Sequence, residues 1–456
     1  MSSSVWNGQR WSKGAVSADA LRVHKLGGSV LPDAGGIRKA AEALAASAEL
    51  PALVVVSACA GVTDRLLVIA ERAARGETTT AVAGLQQLLE WHCEQGRQVL
   101  PEPVARGLEE RLRGLGQQAL QLCRGIAALR ELTPRSRDAM LAFGELLSSQ
   151  VVAAVLEQLV PMPVVLVDAR HYVITDATFG AARPQLELLI QRVHSQGLLE
   201  HLRHGRLVVT QGFIGATAEG RTTTLGRGGS DFSAALFAAA LGAEEVVVWK
   251  DVPGLFTADP LIVPGAQLIA EISAAEMREL AAAGAKVLHP DAVEPALSQG
   301  IRVVLRSVTE PGRSGTRIVP AREVPAAPLA LAWRQPCWVY SCPVPALESS
   351  PGLRTPLLSI VSRTGSVVVS EFPLEVPEGW SAWEGTYALV TVVGGVPERW
   401  SILMLEALAK EGIAPTSCVV DPPWALRLVV RQEIWQRAVF VLHRMLLEQC
   451  FRCVSV

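Results

Sequence analysis

The chain has 456 residues, half of them hydrophobic, with 42 Lys and Arg against 44 Asp and Glu and a formal net charge of −2. That length allows two or three domains with a sizeable core, and the charge balance excludes the basic excess of a nucleic-acid binder. No uninterrupted apolar run reaches the roughly 20 residues of a membrane span, so neither nucleic acid nor a membrane is expected as a partner.

The first 20 residues are polar and Ser-rich and are read as a disordered lead-in, without the apolar stretch of a secretory signal. Leu21 to His24 predicts a short strand that runs into Lys25-Leu26-Gly27-Gly28-Ser29. Ile37 to Ser47 reads as a helix. Ala52 to Val56 is an apolar β-type run followed by Ser57-Ala58-Cys59-Ala60-Gly61-Val62-Thr63-Asp64. From Arg65 to about Leu159 the pattern is helical, broken at Pro101 and Pro103 and again at Thr133-Pro134. Val164 to Val167 is a buried strand, Leu186 to Leu202 a helix weakened at Gly197, and Arg206 to Thr210 another buried strand. Phe232 to Leu241 is helical, and Glu245 to Trp249 is a strand ending at Lys250-Asp251-Val252-Pro253-Gly254. Ser273 to Ala283 is a helix and Ile301 to Leu305 a final strand. Strands of near-continuous Val, Ile and Leu alternating with helices predict a mostly parallel sheet covered on both faces, a three-layer αβα arrangement.

Prolines at 311, 320, 325 and 328 mark a change of composition. Residues 337–380 hold strand-like pieces (Leu357–Val361, Ser366–Val369) and little helix. Tyr387–Val393, Arg399–Lys410, Pro415–Val420, Ala425–Val430, Ile434–Leu447 and Phe451–Val456 read β-α-β-β-α-β, a smaller α+β ferredoxin-like domain. The expected domains are therefore 21–320, a degenerate segment 330–385, and 386–456. Eight cysteines in so long a chain do not make a disulfide framework. Cys59, Cys123 and Cys418 lie in apolar settings and are expected to be buried thiols. Cys450-Phe-Arg-Cys453 has no second ligand pair and reads as a helix end before the last strand. The expected compartment is the cytoplasm.

In such a sheet, ligands bind beyond the carboxyl ends of the strands. Four polar or glycine-rich turns follow strands directly: 25–29, 57–64, 211–231 and 250–260. The longest, Gly212-Phe213-Ile214-Gly215 through Thr224-Leu225-Gly226-Arg227-Gly228-Gly229-Ser230-Asp231, joins a strand to a helix, so backbone N–H groups and the positive helix end favour an anion there. Arg227 and Asp231 together suit a zwitterion. Lys25 with Gly27 and Gly28 offers a point charge and close backbone approach to a phosphate, or simply a tight turn. Ser57 and Thr63 offer hydroxyls around Gly61, as ligands or as turn and N-cap groups. A lone helical Glu145 ordinarily faces solvent, but Leu141, Phe143, Leu146 and Leu147 mark a packed segment. Asp251 and Asp259 flank Pro253-Gly254, in a nucleotide loop or an ordinary turn. Lys286 is a second phosphate lysine or a snorkelling one, and His289 a structural residue. Two lysines, backbone-donor turns, acids and one arginine form the set that phosphoryl transfer uses.

Taken in order from Val23 to Val319, these segments resemble the aspartokinases of the amino acid kinase superfamily. They are Lys25-Leu-Gly-Gly28, Val55-Val-Ser-Ala-Cys-Ala-Gly-Val-Thr63, Phe143-Gly-Glu-Leu146, Thr210-Gln-Gly-Phe-Ile-Gly215, Gly220 to Asp231, Trp249-Lys-Asp-Val-Pro-Gly254, Thr257-Ala-Asp-Pro260 and Gly284-Ala-Lys-Val-Leu-His-Pro290. The resemblance implies an amino acid kinase fold and ATP-dependent, Mg²⁺-assisted phosphorylation of the side-chain carboxylate of L-aspartate, the first step toward lysine, threonine and methionine. It implies that Lys25, Asp231 and Lys286 are catalytic and that Lys25 stabilises the transferring phosphoryl. Ser57, Thr63, Glu145, Arg227, Gly228, Gly229 and Ser230 would hold aspartate, with Arg227 on a carboxylate and Glu145 on the ammonium. Gly27, Gly28, Ser29, Lys250, Asp251, Phe256 and Val287 would hold the nucleotide, with no metal held by protein side chains. The C-terminal unit resembles ACT domains, which implies a homodimer or higher homo-oligomer and an amino-acid effector. Four departures stand out: a single hydroxyl residue, Ser29, after Gly-Gly; Lys250 where a threonine is usual; Phe256 for tyrosine; and Leu261 for an arginine. Lys250 is expected to replace the charge missing at Leu261. The shortened sensor segment leaves feedback control open, and a kinase for another acidic amino acid and a catalytically weak regulatory paralogue are the alternative readings.

Overall fold

The computed structural model describes residues 21–47, 52–285, 288, 290–321, 328–342, 357–362, 365–376, 379–396, 398–421 and 424–453. The expected lead-in, Lys286, Val287 and His289 lie outside the described residues. The chain forms two compact units: residues 1–254 with 288–319, and residues 255–287 with 320–456. The excursion at 255–287 has no counterpart in the sequence reading.

The first unit opens with β1 (Arg22–Leu26), α1 (Ala34–Ala46) and β2 (Ala52–Val56). Asp33 caps α1 by accepting from the Gly36 N–H at 2.9 Å. Four helices follow: α2 (Val62–Ala74), α3 (Thr78–Val99), α4 (Glu102–Leu129) and α5 (Pro134–Leu141), before α6 (Phe143–Leu159). The breaks fall at Leu100-Pro101 and at Thr133-Pro134, where proline sits in the first turn and Thr133 caps α5. Within Pro134–Leu159 the most apolar 18-residue window has a mean hydropathy of 1.7, enough to cross a membrane, yet 89% of that window is buried within the fold. It is a core element.

The unit continues with β3 (Val164–Leu166), α7 (Leu186–Ser195), α8 (Leu198–Arg203), β4 (Leu207–Gln211), the hairpin β5 (Ile214–Ala216) and β6 (Thr222–Thr224), α9 (Gly229–Leu241) and β7 (Glu245–Lys250). The single helix expected at 186–202 is two, because Gly197 takes a left-handed φ of 82° between them. After β8 (Glu271–Ser273) and α10 (Ala274–Ala282) of the second unit, α11 (Pro290–Leu297), β9 (Arg302–Ser307) and β10 (Thr316–Val319) complete the first. Its strands lie in the order β3-β4-β2-β1-β7-β9-β10, parallel except for β10. Strand β2, Ala-Leu-Val-Val-Val, is buried at every position, as a β-branched run covered on both faces should be.

The second unit adds β11 (Pro328–Cys342), β12 (Leu358–Ser362), β13 (Gly365–Ser370), β14 (Ser381–Ala382), β15 (Tyr387–Gly394), α12 (Glu398–Lys410), β16 (Ser417–Asp421), β17 (Ala425–Arg431) and α13 (Trp435–Cys453). Its sheet runs β12-β13-β11-β15-β17-β16. Val390, Val392, Leu426 and Leu428 pack against Trp400, Met404 and Leu408 of α12 and Ala438, Leu442 and Leu446 of α13. Of the final strand expected at Phe451–Val456, residues 454–456 lie outside the described residues, and Phe451 to Cys453 form the end of α13 instead. The physical reason is occupancy. The edge beside β15 that a closing strand would take is filled by β11, which pairs antiparallel with β15 from Pro328 to Cys337. The second half of β11, Trp338–Cys342, pairs with β13. Cys59 and Cys123 are buried, but Cys418 is exposed: β16 is the edge strand, and apolar neighbours in sequence do not cover it.

Candidate active site

In the first unit β1 lies between β2 and β7, so the strand order turns about β1 and a crevice opens beyond its carboxyl end. Lys25 stands one residue before that end and is only 6% exposed. Its ammonium lies 2.7 Å from Asp231 Oδ1 in the first turn of α9. The turn after β1 presses on the turn after β2. A Cβ on Gly28 would sit 2.9 Å from the Ala58 carbonyl oxygen, a backbone atom, so only glycine permits this approach.

The β2 turn is locked to α6. Ser148 Oγ donates to the Ser57 carbonyl at 2.7 Å, and the Ala58 N–H donates to Glu145 Oε1 at 3.1 Å. Glu145 is 3% exposed and its Oε2 has no hydrogen-bond partner among the described residues. Burial raises its carboxyl from 4.5 to about 8, against the lowering pull of the Ala58 N–H. The neighbouring Cys59 thiol is raised to about 12, first by burial and then by Glu145. A cationic group beside such a carboxyl would restore its charge.

Arg227 sits between Gly226 and Gly228, both left-handed at φ 78° and 74°. Gly228 is the residue that turns the chain into α9, a conformation costing other residues roughly 1–2 kcal/mol. The guanidinium is exposed and makes no hydrogen bond or ion pair among the described residues. It stands beside the N-terminus of α9, so a carboxylate there meets a cation and a positive helix end together. Phe213, also left-handed at φ 66°, is held by the Ser233 hydroxyl, which accepts from its N–H at 2.9 Å.

One cleft of about 580 Å³ gathers these groups. Its lining includes Lys25, Gly28, Ser29, Ser57, Thr63, Glu145, Arg227, Gly228, Gly229, Ser230 and Asp231. Cys59, Asp64 and Phe213 line it too; they fall within the quoted strings, but sequence reasoning gives them no role. Gly27 lies directly behind, where a Cβ would meet the Lys25 ammonium at 2.9 Å. Three of the four strand-end turns thus share one cleft. The fourth begins at Lys250, whose pKa is lowered first by burial and further by the charge of Lys25, while Asp231 and Asp251 raise it. Asp251 is exposed, and Phe256 belongs to the second unit.

The geometry has counterparts among known proteins. Residues 20–307 match the model of the amino acid kinase family. The lysine-sensitive aspartokinase 3 of Escherichia coli is 37% identical over 315 residues, covering 69% of this chain and 67% of that protein. The aspartokinase of Chlamydia trachomatis is 31% identical over 444 residues, 92% of this chain and 97% of that one. The crystal structure of E. coli aspartokinase III in complex with lysine and aspartate (T-state) superposes with a TM-score of 0.80 at 29% identity, covering 94% of this chain and 99% of that one. The R-state structure of the same enzyme, with aspartate and ADP, gives 0.72 at 27% identity over 93% of this chain and 99% of that one. A cleft built from the strand ends of one mostly parallel sheet, the family match and these likenesses agree: the chain belongs to the amino acid kinase family, as a member of its aspartokinases.

Proposed function

We propose that the chain transfers the γ-phosphoryl group of ATP to the side-chain carboxylate of L-aspartate, giving 4-phospho-L-aspartate and ADP. The observation that carries this is the single cleft lined by Lys25, Glu145 and Arg227, a phosphate cation, an ammonium receptor and a carboxylate clamp. The E. coli relative has been solved with aspartate and ADP. In this reading Arg227 and the start of α9 take one carboxylate of aspartate, and Glu145 takes its ammonium. The other carboxylate, ionised at neutral pH, is the nucleophile and needs no protein base. It attacks the γ-phosphorus, the bond to the β–γ bridging oxygen breaks, and ADP leaves with that oxygen. Lys25 offsets the charge of the transferring group, and Asp231 holds its ammonium in place.

Gly27, Gly28 and Ser29 would bear on the phosphates, with Lys250 and Asp251 on the nucleotide side. A nucleotide-borne Mg²⁺ fits the donor set, because the Asp231 carboxylate lines the cleft beside Lys25 and hard oxygen ligands suit that ion. When bound, it would neutralise phosphate charge. The reading carries with it a cytoplasmic enzyme at the head of lysine, threonine and methionine synthesis, with assembly and any amino-acid effector acting through the ferredoxin-like unit. Trapping the acyl phosphate with hydroxylamine tests it. Hydroxamate from aspartate, ATP and Mg²⁺ is expected. Product only from another acid, or none, overturns the assignment.

A further inference from the structure

Asp138 is fully buried in α5 and lies outside the cleft lining. No cation pairs with it among the described residues. Three donors hold its carboxylate instead. Oδ2 accepts from the Thr224 N–H at 2.8 Å and the Gly180 N–H at 2.8 Å, and Oδ1 accepts from the Thr224 hydroxyl at 3.0 Å. A buried carboxylate without a counter-ion is costly and persists only where its hydrogen bonds are complete.

Both ends of this contact lead to substrate groups. On one side, Glu145 lies seven residues on, two helical turns along the α5–α6 segment. On the other, Thr224 ends β6 three residues before Arg227 and is clamped a second time, its carbonyl accepting from the Ala182 N–H at 2.9 Å. Gly180 joins the clamp, since a side chain on Gly226 would meet its carbonyl at 3.2 Å. Through one carboxylate, α5, which leads directly into the helix that carries the ammonium receptor, is tied to the loop that carries the carboxylate clamp.

We propose that Asp138 is a positioning residue that sets the separation of Glu145 and Arg227, and thereby the length of diacid the cleft accepts. This rests on the aspartate kinase reading. In Asp138→Asn the amide oxygen still accepts the two N–H groups, and the Thr224 hydroxyl reverses to accept from the amide nitrogen. In Asp138→Ala nothing replaces the carboxylate. The experiment is steady-state kinetics with aspartate and with glutamate, one methylene longer, alongside thermal melts. Asp138→Ala is expected to raise the KM for aspartate at least 10-fold and to lower the aspartate-to-glutamate ratio of kcat/KM at least 10-fold, with the KM for ATP within twofold. Asp138→Asn is expected to stay within threefold of wild type in all three. If Asp138→Ala does not fold, Thr224→Val removes the hydroxyl alone and is expected to raise the aspartate KM at least threefold. An active wild type with unchanged aspartate KM and selectivity in the foldable variants overturns this inference and leaves the activity assignment standing, as does a uniform fall in kcat that only tracks the folded fraction. No product from wild type overturns both.

Discussion

Glu145→Gln tests the charge logic of the cleft. The side chain is 3% exposed, and burial raises its carboxyl from 4.5 to about 8. Between those values the folded chain holds a proton that the unfolded chain has released, so stability falls as pH rises, by about 1.36 kcal/mol per unit. The loss begins near pH 4.5 and stops growing above about pH 8, where both states are ionised. From pH 6 to pH 8, the upper end being where the folded group is half ionised, it amounts to about 2 kcal/mol. Glutamine carries no titrating group, so the variant is spared this loss. Denaturant unfolding of ligand-free protein at pH 6, 7, 8 and 9 should show the wild type losing about 2–3 kcal/mol more than the variant between pH 6 and 8, then running parallel to it. Parallel curves throughout would refute the reasoning. The same carboxyl should give up its proton when an ammonium binds: at pH 7 about 0.9 proton per aspartate, measured by calorimetry in buffers of different ionisation enthalpy. The variant should release none and bind aspartate at least 10-fold more weakly.

Lys250→Ala should raise the KM for ATP about 10- to 100-fold, since charge-assisted phosphate contacts contribute roughly 1.5–3 kcal/mol, and should leave the KM for aspartate alone; an unchanged ATP KM removes its compensating role. Gly28→Ala puts a Cβ 2.9 Å from the Ala58 carbonyl and must part the β1 and β2 turns, so kcat/KM should fall about 100-fold with a small change in melting temperature; normal kinetics would deny that this approach matters. Cys418 should react readily with a thiol reagent while Cys59, buried and with its pKa raised to about 12, stays protected until unfolding; early loss of the Cys59 thiol would contradict its burial.

Much of the first unit is legible because its strands are short runs of Val, Ile and Leu with turn residues at their carboxyl ends. The string from Gly226 to Asp231 needs its glycines for left-handed backbone at 226 and 228, which sequence can suggest and φ angles bear out. Long-range pairings are a different matter. Nothing local says that β11 fills the edge beside β15, so sequence alone points to a closing strand from Phe451 onward. Nor does apolar sequence around Cys418 reveal an edge strand. Asp138 looks like an ordinary helical acid until Thr224, 86 residues away, is seen on its carboxylate. The Lys25–Asp231 pair likewise joins residues far apart in the chain, a contact that neither motif declares alone.

The account turns on a phosphate cation and a carboxylate clamp working in one cleft, so the most direct measurement is the pair Lys25→Ala and Arg227→Ala, assayed by hydroxamate formation with thermal melts to report the folded fraction. The expected result is a split: turnover collapses in Lys25→Ala, while Arg227→Ala chiefly raises the KM for aspartate and leaves that for ATP near wild type. Folded variants with wild-type constants for both would contradict the account.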